Sequence, residues 1–178
     1  VEYLRKNGQA KAEKKASRIA AEGLCRVATD GDKVAAVVEV NSETDFVAKN
    51  EQFQSFVEAV AKQALATSAT DIDAFLAEKW NEDASKTVSD ALVDKVAVIG
   101  EKLSIRRFEK VEAANGCVVT YTHGGGKIGV IVEAETAVVN DAVKEALTNL
   151  AMQVAALYPK YVSSDEVSEE YKAHEKEI

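Results

Sequence analysis

Lys33-Val34-Ala35-Ala36-Val37-Val38-Glu39-Val40 recurs 94 residues further on as Lys127-Ile128-Gly129-Val130-Ile131-Val132-Glu133-Ala134. In both copies a lysine opens the run and a glutamate stands next to its last residue. Between them lie small and β-branched apolar side chains, the pattern of a buried strand bounded by turn residues. Ahead of the first copy, Leu24 to Thr29 alternates as a strand and Asp30-Gly31-Asp32 supplies a turn. Ahead of the second, residues 117–123 and Gly124-Gly125-Gly126 do the same. Each copy reads as a β-hairpin. Each is followed by a helix: Asn50 as N-cap lines up with Asn140, Val57 with Leu147, Val60 with Leu150 and Ala61 with Ala151. Phe53, Phe56, Val57, Val60, Ala61, Ala64 and Leu65 fall at helical spacing, a face made to pack on a sheet. A hairpin and then a helix, found twice, is the organising repeat of the chain.

The two helices are offset by 90 residues rather than 94, so the first copy carries extra residues between strand and helix. They fall within Asn41 to Lys49. Loop-length drift is the ordinary reading of such a difference. Composition points the other way, because Phe46 and Val47 are apolar in a segment flanked by Glu43, Asp45, Lys49, Asn50 and Glu51. A connection that projects a phenylalanine to solvent presents it to something. From pattern alone, Phe46 reads equally as a core residue at a helix start, and Asp45 as an acid favoured there by the helix dipole.

Elsewhere, Thr67 to Thr70 reads as a polar linker, followed by helices at residues 71–80 and 87–99, with Leu92, Val93 and Val96 facing inward. Gly100 closes the second helix as a C-cap glycine. Leu103-Ser104-Ile105-Arg106-Arg107-Phe108 begins a strand, and Pro159 limits the helix that runs from Asn140 to Leu157. Val1 to Lys6 reads as the tail of a helix ending at Gly8. Residues 9–22 read as another helix, with Lys11, Lys14, Lys15 and Arg18 on one face. Glu169 to Ile178 reads as a helix barely begun. Both ends look cut, which predicts a natural protein longer at each.

Several function classes lose support. The net charge is −8 and the pI about 4.9, so a chain-wide basic field for nucleic acid is absent. Arg106-Arg107 and the lysine face lack interleaved aromatics, and direct nucleic-acid binding is not expected; an acidic RNA-binding or ribosome-associated translation module is the alternative function. Cys25 and Cys117 sit singly in apolar runs, without zinc or redox spacing, and read as small buried thiols. No apolar run approaches a membrane span and no signal peptide is visible, which predicts a soluble protein of a reducing compartment. The two histidines, His123 and His174, join no triad signature, and no His/Cys/Asp cluster has ligand spacing. No catalytic residue, metal site or cofactor is expected. Gly124-Gly125-Gly126-Lys127 fails as a phosphate loop, because Tyr121 and Ile128 stand where glycine and Ser/Thr are needed.

The string Glu39-Val40-Asn41-Ser42-Glu43-Thr44-Asp45-Phe46-Val47-Ala48-Lys49 resembles the signature of the elongation factor Ts family, the guanine-nucleotide exchange factors for elongation factor Tu. Other segments resemble the family in order along the chain. They are Ala20-Ala21-Glu22-Gly23, Ile99-Gly100-Glu101 with Ile105-Arg106-Arg107, Tyr121-Thr122-His123 with Lys127-Ile128-Gly129-Val130, and Ala151-Met152-Gln153-Val154-Ala155-Ala156. The resemblance implies an α+β fold of two pseudo-repeated subdomains, each an antiparallel hairpin-based sheet with helices packed on it. It divides the chain into residues 1–22, the end of an N-terminal helical domain and a helical linker; 23–100, a first core subdomain; and 101–178, a second one. It implies a non-enzyme that binds elongation factor Tu in its GDP-bound and nucleotide-free forms and needs no cofactor or membrane. A homodimer of the full complex is one assembly it admits. The tip Thr44, Asp45, Phe46 and Val47 would dislodge the partner's magnesium, with Ile99, Gly100 and His123 as further contacts. The compartment would be the cytoplasm, or else a mitochondrial matrix or chloroplast stroma.

Overall fold

In the computed structural model, which describes residues 2–177, helix α1 (Glu2–Lys15) leads into the first hairpin, β1 (Glu22–Asp30) and β2 (Val34–Ser42). A single helical turn α2 (Asp45–Ala48) precedes the long helix α3 (Glu51–Ala66) and the short α4 (Ile72–Ala77). A small hairpin of β3 (Lys79–Trp80) and β4 (Asp83–Thr87) runs into α5 (Val88–Ile99), and then comes β5 (Leu103–Glu112). The second hairpin, β6 (Gly116–His123) and β7 (Ile128–Glu135), is followed by α6 (Asp141–Leu157), a 3-10 turn at Ser164–Glu166 and α7 (Glu169–Glu177). This is an α+β fold of antiparallel sheets with helices packed on them, in which the repeat is plain. Val1 and Ile178, the outermost residues of two expected helices, lie outside the described residues.

The first sheet has the order β1-β2-β5, with β2 in the middle. β2 is covered by α3 on one face and, at Ala35, by the second hairpin on the other, which is why its sequence runs apolar without alternation from Val34 to Val38. Ala36, Val38 and Val40 point into the main core, where Phe53, Val57, Val60 and Ala64 of α3 are wholly buried on them. Burial of each valine or phenylalanine among them stabilises by roughly 1.5–3 kcal/mol. α5 closes the core with Val88, Ala91 and Val96, and Phe75 of α4 meets Phe108 of β5 at a ring distance of 4.6 Å. In the second half, Ala151 and Ala155 of α6 lie on Val130 of β7.

The two hairpins pack on each other through contacts that occur twice. The amide of Cys25 donates to the carbonyl of Gly126 at 2.6 Å, and the amide of Val118 donates to the carbonyl of Asp32 at 2.8 Å. Under the repeat these are the same bond with the copies exchanged. The repeat lysines cross over as well: Lys33 Nζ donates to the Gly116 carbonyl, and Lys127 Nζ pairs with Glu22 at 2.7 Å. Ala35 is fully buried in a small cluster with Val118 and the partly buried Ile131. Its counterpart Gly129 lies against Cys25 and Val37. Reciprocity of this kind is the mark of a two-fold, isologous contact, made here inside one chain.

Several expected elements are corrected. Gly8 does not end a helix: α1 runs through it, and Gly8 is buried facing Val93 and Ala97 of α5. The helix expected at residues 9–22 stops at Lys15, and Lys102 Nζ binds the carbonyls of Ala16 at 2.6 Å and Arg18 at 2.8 Å. Arg18 therefore leaves the lysine face. The helix expected at residues 71–80 ends at Ala77, because Trp80 is drawn into the core against Phe56 and Lys79–Trp80 pairs with β4. β5 pairs with β2, so the first sheet takes its third strand from beyond Gly100. Cys117 is buried, whereas Cys25 is only partly so. Among the described residues no helix is long and apolar enough to cross a membrane.

Candidate partner-binding site

The paired strands β2 and β5, shifted by one residue at Arg106 between the Glu39 and Val40 rungs, end on a last rung, Ser42 opposite Leu103. Side chains continue the pairing beyond it. The amides of Glu43 and Thr44 donate to one carboxylate oxygen of Glu101 at 3.1 and 3.0 Å, and the Thr44 hydroxyl donates to the other at 2.7 Å. In return, the amide of Lys102 donates to the Glu43 carboxylate, which also pairs with Arg18 at 3.3 Å. The hydrogen bond from the Lys102 amide, helped by Arg18 and opposed by partial desolvation, holds the Glu43 carboxyl below the usual glutamate range. The Ser42 hydroxyl, fully buried, donates to the Thr44 carbonyl at 3.0 Å.

On this base stands α2. Thr44 is its N-cap, in extended geometry, and its side-chain oxygen accepts from the Val47 amide at 3.4 Å. One turn has only two sides to offer. Ala48 is buried and Val47 half-buried against the main core, which leaves Phe46 pointing out, 80% exposed. Asp45 pairs with Lys49 one turn on at 2.8 Å, and Lys49 Nζ lies 6.0 Å from the centre of the Phe46 ring. The hydrogen bond from Lys49, and then its charge, pull the Asp45 carboxyl below its ordinary value, so Asp45 is an anion at neutral pH. Asn50 then caps α3, accepting from the amides of Gln52 and Phe53 at 2.8 and 3.3 Å. The extra residues of the first copy are thus a projecting helical turn.

The other sequence-nominated residues fall into two groups. Ile99 and Gly100 are brought beside the tip, because Glu101 follows them directly. Ile99 packs against the main core, and Gly100 ends α5 with a φ of 85° and its amide on the Val96 carbonyl at 3.0 Å. His123 lies in the other hairpin, exposed, with Nδ1 2.9 Å from the Tyr121 hydroxyl. Lys127 of that hairpin pairs with Glu22 of β1 at 2.7 Å, and its charge adds a little to the lowering at Asp45. Sequence reasoning missed Glu101, Glu43 and Arg18 as supports of the tip. The one available signal was an acid directly after the C-cap glycine. Among the described residues no group of three or more His, Cys, Asp or Glu is gathered as metal ligands.

Residues 43–178 match the family model described as Elongation factor TS. The chain is 54% identical to the elongation factor Ts of Clostridioides difficile (strain 630), with 100% of this chain and 58% of that protein aligned. It is 45% identical to the elongation factor Ts of Halothermothrix orenii, over 100% of this chain and 59% of the other. It is 46% identical to that of Clostridium tetani, again over 100% and 59%. The chain therefore spans somewhat under two thirds of the length of these relatives. Matched by the family model from the tip onward, and aligned over its whole length with these relatives, the chain belongs to the elongation factor Ts family.

Proposed function

We propose that this chain is the core of a guanine-nucleotide exchange factor for the translation GTPase elongation factor Tu, a binding protein and not an enzyme. The observation that carries the reading is Phe46, 80% exposed on a single turn whose base is fixed by hydrogen bonds. A large ring held in water on a firm support is a feature for insertion into a partner. A translation GTPase holds GDP through magnesium and a loop that cradles the phosphates, so a factor that speeds release must favour the nucleotide-free state. Phe46 supplies the volume that separates partner elements. Asp45, ionised, brings a negative charge to the magnesium region and reorganises its ligands. Thr44 caps the turn, and Val47 packs beneath it. Ile99 and Gly100 make the adjoining contact and His123 one with another domain of the partner. The division of the chain into a helical lead-in and two core subdomains, and a place in the cytoplasm, belong to the same reading.

The test is release of fluorescent GDP from elongation factor Tu on addition of the chain. Phe46→Ala is expected to cut the stimulated rate by tenfold or more, on the order of a buried hot-spot residue. Release as fast with Phe46→Ala as with the unsubstituted chain overturns the wedge.

A further inference from the structure

We infer that Glu101 is a positioning residue whose carboxylate clamps the turn that aims Phe46 at the partner. This role rests on the exchange reading above. α2 has four residues, far below the length at which a helix holds itself together in water. The Phe46 ring, mostly in solvent, packs too little to fix its own direction. That direction is inherited from the backbone at Glu43 and Thr44, which lies beyond the last rung of the β2–β5 ladder. Glu101 supplies what the ladder no longer does. Both its oxygens are engaged, one on two successive amides and the other on the Thr44 hydroxyl. Bonds from amides to a carboxylate are stronger than those between neutral groups. Glu43 and Lys102 make the reciprocal bond, so the two chain segments grip each other through one acid apiece.

A clamp of this kind acts on the fraction of molecules whose tip is ready to bind. With the carboxylate gone, the amides of Glu43 and Thr44 lose their acceptor and the turn samples other conformers. The apparent affinity then falls by the fraction that stays competent. Once engaged, the wedge is unchanged, so the maximal rate is kept. Loss of Phe46 does the opposite, since the wedge itself is missing. Glutamine can replace the clamp: its carbonyl accepts both amides and its NH2 donates to the Thr44 hydroxyl, which serves as donor or acceptor.

The experiment titrates the 178-residue chain against a partner GTPase loaded with fluorescent GDP, using the unsubstituted chain, Glu101→Ala, Glu101→Gln and Phe46→Ala. Glu101→Ala is expected to raise the half-maximal concentration about tenfold and to keep the maximal rate within about twofold. Glu101→Gln is expected to stay within about threefold of the unsubstituted chain at half-maximum. In the free protein, amide hydrogen exchange at Glu43 and Thr44 should quicken in Glu101→Ala while Val38 and Val57 stay protected. An unchanged half-maximal concentration in Glu101→Ala, with Phe46→Ala still lowering the maximal rate, overturns the clamp and leaves the exchange reading standing. So does a raised half-maximal concentration accompanied by faster exchange at Val38 and Val57, which is the loss of folded protein that a merely structural role predicts. An unsubstituted chain that does not speed release overturns the exchange reading, and the clamp with it.

Discussion

Phe46 and Val47 are chain neighbours with opposite surroundings, one 80% exposed and the other packed against the main core. Their effects on stability should separate accordingly. Phe46→Ala is expected to shift the unfolding free energy by no more than about 0.5 kcal/mol, as for a surface substitution away from special features. Val47→Ala removes methyl groups from a partly buried site and should cost about 1 kcal/mol, at roughly 0.8 kcal/mol per buried carbon. Urea denaturation of both variants decides the matter, and a loss above 1 kcal/mol in Phe46→Ala would mean that the ring packs on its own protein. Composition alone could flag this pair as out of place in a charged segment. It could not say which of the two faced out, because four residues carry no helical period to read. Glu101 was beyond reach for another reason: its partner Thr44 lies 57 residues away, and no local pattern records a bond at that separation.

Both hairpins open on the same device, and it makes the element-scale prediction. Gly23 and Gly116 have φ of 136° and 135°, a region closed to ordinary side chains. A Cβ on Gly23 would sit 2.2 Å from the Val40 carbonyl oxygen, and one on Gly116 1.8 Å from that of Ala134. The paired strands approach too closely there for anything but glycine. Gly23→Ala and Gly116→Ala should each destabilise by about 3 kcal/mol or more, from backbone strain added to steric overlap. Gly31→Ala, in a turn with open space around it, should lose only about 1–2 kcal/mol for its left-handed φ. Chemical denaturation of the three variants gives the comparison, and equal losses at all three positions would refute the close approach as the cause. Elements of this sort were legible where they rest on local rules. The strand repeat, the Asn50 and Asn140 caps and the Gly100 terminus all came from spacing and residue type, and all stand in the structure. The failures sit where tertiary packing overrode the local preference. Trp80 left a helical pattern for a place against Phe56, and Gly8, a helix breaker by propensity, is tolerated because it is buried against α5.

For the molecule as a whole, the sequence repeat identified the halves but not the seam between them. Equating Ala35 with Gly129 follows from the alignment of two strands. That each packs against the other copy is a fact of three dimensions. The seam is joined by the paired amide bonds of Cys25 and Val118, and by Lys144 of α6 on Asp32 of the first turn at 2.8 Å, which holds the Asp32 carboxyl below its usual range. Gly129 is a tight apolar point on it: a Cβ there would stand 2.9 Å from a Val37 methyl and 3.2 Å from the Cys25 Cβ. Two effects then compete in Gly129→Val. Strand preference favours valine over glycine by up to about 1 kcal/mol. Overfilling a packed contact costs roughly 1–3 kcal/mol, and here the neighbours include a backbone-proximal carbon that cannot swing away. The seam should win, with a net loss of about 1–2 kcal/mol in urea denaturation. The partly buried Cys25 thiol lies on the same seam, and burial raises its pKa and slows its reaction. Prying the hairpins apart should therefore speed its labelling by a thiol reagent under native conditions, while Cys117, buried away from that point, should keep its rate. A Gly129→Val protein that gains stability, or one whose Cys25 labels no faster, would show that the halves are held together elsewhere.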